Sequence, residues 1–211
     1  MKKIMFSDKL GLTAAVLQGR KTMTRRFEKG LENLVEGNFY FNRKANEINL
    51  YGEKGSVVEK IKSHYELGEV VAVAQSYKSI HEEMANGDYG NSRYDAFRCA
   101  MVAGTKGWNN KQNVKSGLMP HQIRITDIKV ERLQNISEED CLKEGIQEYF
   151  PYIDRNPNDK VRTFRYFKDG KIRHCISPAS KCFSYLIDDV SGKGTWESNP
   201  YVFVYIFEKV K

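Results

Sequence analysis

The sequence predicts an α+β fold in which a small mixed β-barrel is decorated with helices. Strand-like segments outnumber helix-like ones, and the connections between them vary in length. The last strand-like segment, residues 201–207, is apolar on both faces, as a central or barrel-closing strand would be. With 211 residues, of which 40% are hydrophobic, the chain is long enough for one domain with a good-sized core.

The first half of the chain predicts short strands separated by helices. A strand at residues 3–6 leads into a helix that Ser7 caps and Gly19 ends. The expected buried face of this helix consists of Leu10, Ala14 and Leu17. Aromatic and β-branched residues predict further strands at 39–41, 48–51 and 70–74. Helices are expected at 80–85 and 94–102, and a long loop at 104–117.

The second half begins with the clearest strand pattern. Residues 122–133 alternate apolar with polar side chains, which predicts a long strand with one buried face. Ser137 and Asp140 then resemble a capping box, and they predict a helix that runs to about Glu144 and ends at Gly145.

A hairpin and a helix are expected near the end of the chain. Asp169-Gly170 favours a type I′ turn within a hairpin over 164–173. Ser177 and Pro178 are typical of a helix start. The side chains expected to face inward from that helix are Phe183, Leu186, Ile187 and Val190.

Positive charge is concentrated in two segments of this chain, whose net charge is +7. Residues 1–30 carry eight lysines and arginines against two acidic residues, and residues 160–173 carry six against one. The rest of the chain is therefore net acidic. Focused positive charge indicates a partner that bears phosphate, although two solvated basic faces would give the same composition.

Several classes of protein are disfavoured by the sequence. There is no apolar run long enough to cross a bilayer and no secretory signal, so a cytoplasmic location without a membrane partner is expected. The four cysteines, Cys99, Cys141, Cys175 and Cys182, form no Cys-x-x-Cys pair and have no matching histidine spacing. We therefore expect neither a metal site nor a cofactor.

The segment Gly19–Arg26 is the densest in chemistry, with four cations, two hydroxyl groups and a glycine at a helix end. Arg25 and Arg26 can make bidentate phosphate contacts after a tight turn, and Arg20 and Lys21 add charge. The alternative is that these side chains pack over neighbouring aromatic rings and only solubilise the segment.

The predicted hairpin offers a second candidate surface. Arg165 and Tyr166 lie among alternating aromatic and basic residues, a composition typical of a stacking platform for single-stranded nucleic acid. Cross-strand packing of the aromatic rings is the competing interpretation. Trp196, which precedes the last strand, is a candidate for base stacking or for packing at the barrel end.

Several segments together resemble the ASCH domain of the PUA-like superfamily. They are Gly19-x-Lys21-x-x-Thr24-x-Arg26, Gly68-Glu69 before a buried strand, Ile136–Asp140 and Lys143–Gly145. The stretch Gly194–Val204 is similar to the larger, phage-associated bacterial members. The resemblance implies a PUA-like barrel over residues 1–211, with inserts at about 28–65, 80–116 and 147–178. It also implies a basic cleft beside the Gly-x-Lys motif that receives RNA or a modified nucleotide.

The chain departs from the family pattern at two places. Thr24 stands where the family usually has glutamate, and Ala74-Gln75 replaces an Arg-Glu pair. A subgroup similar to N4-acetylcytidine amidohydrolases shares Gly-Arg-Lys-Thr-x-Thr. By that resemblance Lys21 would be the proton acceptor, Thr24 the nucleophile and Glu144 the proton donor.

The residue types can be tested against these roles. A threonine hydroxyl needs a base, and neighbouring arginines would lower the pKa of Lys21 toward that role. The end of a helix would raise the pKa of Glu144, as a general acid requires. If Lys21 and Glu144 instead pair as ions, each moves the other away from catalysis and the pair is structural.

Three functions follow from these features. The first is binding of RNA or a modified nucleotide, with Arg20, Lys21, Arg25, Arg26, Arg165, Tyr166 and Trp196 as contact residues. The second is hydrolysis of N4-acylated cytidine-type nucleosides by Lys21, Thr24 and Glu144. The third is a protein-interaction module of a phage or mobile element. The sequence leaves open whether the protein is an enzyme, what protein partner it has and its oligomeric state.

Overall fold

The computed structural model of the chain describes residues 1–86, 105–149, 162–176 and 178–210, and these residues form both helices and sheets. They divide into two compact units. The first unit contains the described residues of Met1–Phe6, Val70–Arg124 and Lys209–Lys211, and the second those of Ser7–Glu69 and Ile125–Glu208. The α+β prediction is confirmed. Within the described ranges no sheet closes on itself into a barrel.

The elements of the described residues are numbered in chain order. The strands are β1 (Lys3–Ile4), β2 (Met23–Arg26), β3 (Phe39–Asn42), β4 (Glu47–Tyr51), β5 (Val57–Lys62), β6 (Val70–Val73), β7 (Gln122–Arg132), β8 (Gln147–Tyr149), β9 (Thr163–Lys168), β10 (Lys171–Ile176) and β11 (Tyr201–Lys209). The helices are α1 (Leu12–Leu17), α2 (Tyr77–Asn86), α3 (Glu138–Lys143), α4 (Ala179–Ser191) and α5 (Thr195–Ser198). No helix in these ranges is long and apolar enough to cross a membrane.

The first unit is built on strand β6. It pairs in parallel with β1 and antiparallel with the first residues of β7. Helix α2 buries Ile80 and Met84 in a core that also contains Tyr77 and Met119. The helix predicted at 94–102 lies outside the described residues.

The second unit has the long apolar strand at its centre. Strand β11 lies between β7 and β2, and it pairs antiparallel with β2. Val202, Phe203 and Val204 are fully buried, which confirms the prediction of a central strand. Two three-stranded antiparallel sheets, β3-β4-β5 and β8-β9-β10, complete this unit.

Helix α1 ends as predicted but begins later. Gly19 follows its last turn with φ of +72°, a left-handed conformation that glycine adopts at little cost. The helix begins at Leu12 and not at Ser7, because residues 8–11 form a turn in which the Gly11 N–H donates to the Asp8 carbonyl. Its buried side therefore consists of Leu12, Thr13, Ala15 and Val16. Ala14, predicted to face inward, is exposed.

Both predicted ends of helix α3, at Ser137 and at Gly145, are confirmed. The Ser137 side chain accepts a hydrogen bond of 3.1 Å from the Asp140 N–H, which caps the first turn. Glu144 follows the last turn, and Gly145 leaves the helix with φ of +109°. This start and stop fix where the Glu144 side chain emerges.

The hairpin is also confirmed. Strands β9 and β10 pair along their whole length, with Thr163 opposite Ile176 at one end and Lys168 opposite Lys171 at the other. Asp169 and Gly170 form the turn, and both have positive φ, of 48° and 77°. In helix α4, Phe183, Leu186 and Ile187 are buried as predicted, but Val190 in the last turn is 47% exposed. Ser177, predicted to cap this helix, lies outside the described residues.

Three strands of the second unit, β2, β5 and β8, are absent from the sequence-based expectation. Strand β5 has mostly exposed side chains and several charges, so it lacks the apolar alternation that indicates a strand. Strand β8 is only three residues long. The stretch expected as an insert at 28–65 contains the β3-β4-β5 sheet, and the prediction of one domain with inserts stays a prediction.

Candidate functional site

Lys21 and Glu144 meet in the second unit. The segment between α1 and β2 lies against the end of α3, since the Thr22 N–H donates to the Lys143 carbonyl at 2.9 Å. Lys21 Nζ donates to Glu144 Oε2 at 2.6 Å and to the Glu144 carbonyl at 2.8 Å. Both side chains are buried. The structure therefore brings together two of the three residues predicted for catalysis.

Arg25 joins the same carboxylate from strand β2. Its Nη1 donates to Glu144 Oε1 at 3.0 Å, and its Nη2 donates to Glu131 Oε1 at 2.5 Å. Asp140 Oδ2 lies 3.6 Å from Nη2. The Arg25 side chain is fully buried. We call these five residues, Lys21, Arg25, Glu131, Asp140 and Glu144, the Glu144 cluster.

Burial and pairing shift pKa values within the Glu144 cluster. Burial lowers the pKa of Lys21, as do the nearby charges of Arg26 and Arg25, while the ion pair with Glu144 opposes this shift. Burial alone would raise the pKa of Asp140. The hydrogen bond from Lys143 and the charges of Lys129 and Arg25 outweigh burial and lower it.

Thr24 is positioned differently from Lys21 and Glu144. It is buried in β2 and pairs with Tyr205 of β11. Because side chains alternate along a strand, Thr24 and Arg25 point to opposite faces of β2. The Arg25 face is the one that meets Glu144. The structure thus joins Lys21 to Glu144 and directs Thr24 to the other side of the strand.

A cleft of about 230 Å³ in the second unit is lined by three residues predicted to contact nucleic acid, Arg20, Arg165 and Tyr166. Helix α1, the turn before it and the β9-β10 hairpin supply apolar lining residues, including Leu10, Ala14, Phe167 and Ile172. Gly145 also lines it, and a Cβ atom placed on Gly145 would lie 3.8 Å from Lys21 Cδ. The cleft is therefore adjacent to the Glu144 cluster.

The polar groups of this cleft are oriented by neighbouring side chains. The exposed Arg20 donates from Nε and Nη2 to Gln18 Oε1, at 3.0 and 2.8 Å. Arg165 Nε donates to Gln147 Oε1 at 3.1 Å, and its guanidinium lies 5.0 Å from the centre of the Tyr149 ring. Tyr166 donates its hydroxyl proton to Asp189 at 2.8 Å, and burial raises the pKa of Tyr166.

Two further predicted contact residues lie elsewhere. Arg26 lines a second pocket of about 480 Å³ together with Glu28, Lys62 and His64. Trp196 in α5 packs against Phe183, with ring centres 6.0 Å apart and planes at 77°. Sequence reasoning missed this second pocket, although Glu28 and Lys29 stand directly after the basic segment.

Sequence reasoning also missed Glu131 and Asp140 as partners of Arg25. Glu131 stands near the end of the alternating strand β7, where a charge on a partly buried strand is a signal for a partner. Comparisons with protein-family models, curated proteins and solved structures found no match. The resemblance to ASCH domains, and the function it implies, therefore stay predictions.

Proposed function

We propose that this chain is an ASCH-type protein of the PUA-like superfamily that binds RNA or a modified nucleotide in the cleft beside α1. One observation carries the proposal. Arg20 and Arg165–Tyr166, which are far apart in the sequence and are predicted contact residues, line the same cleft. A cytoplasmic location belongs to the same proposal.

The composition of the cleft suits one nucleotide. Its apolar residues can cover the face of a base, and the two arginines can contact phosphate or the base edge. Pockets for drug-sized ligands usually start at about 300 Å³. A cleft of about 230 Å³ therefore favours a single unstacked base over a larger ligand.

The Glu144 cluster supports the cleft in this proposal. Arg25 and Lys21 hold the Glu144 carboxylate from two sides, and Gly145 next to it lines the cleft. Lys21 and Arg25, predicted as ligand contacts, then act by fixing the end of α3. Arg20 and Arg165 supply the charge that meets the ligand.

The test is binding of a fluorescent single-stranded RNA at several salt concentrations. We expect affinity to fall with rising salt, and the slope of log K against log salt to become shallower by about one unit in Arg20→Ala or Arg165→Ala. The matched control is Arg43→Ala, which removes the same charge from an exposed arginine paired with Asp127. Salt-independent binding, or an equal effect of Arg43→Ala, would refute the proposal.

A second candidate, hydrolysis of N4-acylated cytidine-type nucleosides, is favoured by the burial of Lys21. Burial lowers the pKa of Lys21 in the direction that a base requires, while the ion pair with Glu144 at 2.6 Å opposes this shift. The position of Thr24 on the other face of β2 is the main obstacle, since a nucleophile must reach its base.

Turnover of N4-acetylcytidine tests this second candidate. Hydrolysis by Lys21 and Thr24 predicts that turnover disappears in Lys21→Met and in Thr24→Ala, and persists in the neighbouring Thr22→Ala. Each variant is first checked for cooperative unfolding, because Lys21 is buried. Unchanged turnover in both Lys21→Met and Thr24→Ala would exclude the assignment.

A further inference from the structure

The second pocket, which lies in the second unit, combines cations with a carboxyl group, whereas the cleft has no carboxyl group in its lining. The second pocket is lined by Arg26 to Lys29, at and after the end of strand β2, and by Lys62, His64 and Tyr65, at and after the end of β5. Its volume is about 480 Å³. Three permanent cations, one carboxyl group and aromatic rings therefore share one opening.

The half-buried carboxyl group of Glu28 fixes the geometry of this pocket. Glu28 Oε1 accepts a hydrogen bond from the Tyr205 hydroxyl, and Glu28 Oε2 accepts one of 3.0 Å from the His64 N–H. The Tyr205 oxygen also accepts a bond of 3.1 Å from the same His64 N–H. The two segments that supply the cations are thus held together through Glu28 and Tyr205. Both carboxylate oxygens of Glu28 therefore already accept hydrogen bonds from other residues of the protein.

The charges at the opening remain net positive. Arg26, Lys29 and Lys62 face one carboxyl group within the lining, that of Glu28. Lys62 also pairs with Glu66 at 3.1 Å, but both side chains are at least half exposed and such pairs are weak. Among the lining residues themselves an anion therefore meets more cations than carboxyl groups, while Glu66 and Glu69 lie outside the lining near Lys62 and Tyr65.

The aromatic lining adds an apolar surface beside these cations. Phe27 is 40% exposed, so part of its ring surface is accessible beside the cations. Tyr65 is buried and packs edge-on against Tyr205, with ring centres 5.1 Å apart. A ligand that joins an anion to a flat apolar ring matches both parts of the pocket.

We propose that this pocket binds a phosphate monoester carried by a nucleoside, as in a nucleoside 5′-monophosphate or the 5′-phosphorylated end of an RNA. A monoester carries a charge of about −1.5 to −2 at neutral pH and three acceptor oxygens, whereas a diester carries one charge. The Arg26 guanidinium can bind two of these oxygens, and the Lys29 and Lys62 ammonium groups can bind the third. The base then lies against Phe27. This site is independent of the cleft and of its proposed function.

Binding of cytidine 5′-monophosphate, cytidine and inorganic phosphate to the full chain tests the site by calorimetry. We expect the monophosphate to bind at least about tenfold more tightly than cytidine or phosphate alone, since each lacks one of the two contacts. Lys29→Gln and Lys62→Gln should each weaken the monophosphate about three- to tenfold. Lys54→Gln, which removes an exposed lysine outside the lining, is the control.

A second comparison assigns the source of the phosphate. If a hexanucleotide with a 5′-phosphate binds and the free monophosphate does not, the ligand of the pocket is an RNA end. If the free monophosphate binds and the hexanucleotide does not, the ligand is a free nucleotide. Equal binding of cytidine and its monophosphate, with no preference of the RNA for a 5′-phosphate, would overturn the site. So would unchanged affinity in both Lys29→Gln and Lys62→Gln. Loss of monophosphate binding in Arg165→Ala but in neither Lys29→Gln nor Lys62→Gln would assign the binding to the cleft and overturn this site, so a failure of the cleft and a failure of this pocket are distinguishable.

Discussion

Lys21 Nζ lies 2.6 Å from Glu144 Oε2, although the two residues are 123 positions apart in the chain. The other oxygen of the same carboxylate accepts a hydrogen bond of 3.0 Å from Arg25. All three side chains are at least 95% buried. A buried carboxylate between two cations is stabilised only while its partners remain, so the three groups should act as a unit.

Glu144→Gln should lower the free energy of unfolding by about 3–5 kcal/mol, because it leaves two buried cations without their shared counter-charge. Lys21→Met in the same chain should recover part of this loss, with a coupling energy of about 1–3 kcal/mol. The measurement is urea denaturation of the wild type, both single variants and the double variant.

Glu139→Gln is the matched control for this cycle, because Glu139 lies in the same helix α3 and is exposed. Its effect should stay within about 0.5 kcal/mol. If the effects of Lys21→Met and Glu144→Gln simply add in the double variant, the two residues are not coupled and the prediction is wrong.

The ends of the elements around this cluster were predictable because they depend on local chemistry. Ser137 and Gly145 set the limits of α3, and Gly19 sets the end of α1, through bonds and dihedral preferences within a few residues. The pairing of Lys21 with Glu144 is one of three alternatives that the sequence offers for Lys21, beside catalysis and ligand binding. Sequence alone leaves these alternatives open, since they differ in tertiary geometry.

The contacts of Arg25 were not predictable from local chemistry. The sequence placed Arg25 after a turn, where it would face solvent, whereas it lies in strand β2 with its side chain among Glu131, Asp140 and Glu144. Which face of a four-residue strand is buried depends on the strands beside it. Strand β7 supplies Glu131, helix α3 supplies Asp140, and Glu144 directly follows the end of α3. All three residues are more than a hundred positions away from Arg25 in the chain.

Asp140 should make stability depend on pH in acid. Its pKa in the folded chain lies below the usual value of 3.8, so its contribution is complete above that value and is lost as the pH falls through the folded-state pKa. Asp140→Asn should therefore be less stable than the wild type above pH 3.8, with a difference that shrinks at lower pH. Urea denaturation between pH 2 and 6 measures this difference. A difference that stays constant over this range would contradict the prediction.

Glu28 should show the opposite dependence. Burial raises the pKa of Glu28 above its usual value of 4.5, so the folded chain holds this proton more tightly than the unfolded chain does. Stability contributed by Glu28 is then lost as the pH rises from 4.5 through the folded-state pKa. Glu28→Gln should gain stability relative to the wild type over that window, measured in the same denaturation series. A relative loss with rising pH would show that the ionised form is the one that the fold favours.

The turn of the β9-β10 hairpin should depend on Gly170 through its backbone alone. Gly170 has φ of +77°, and a Cβ atom placed there would meet no other atom within 4 Å. Gly170→Ala should therefore cost about 1 kcal/mol or more of unfolding free energy, since an L side chain disfavours this conformation. Gly117 has equally open surroundings but no positive φ, so Gly117→Ala should be neutral or stabilising by up to about 1 kcal/mol. Denaturation of both variants separates backbone strain from crowding, and an equal loss in the two would show that the turn conformation is not the cause.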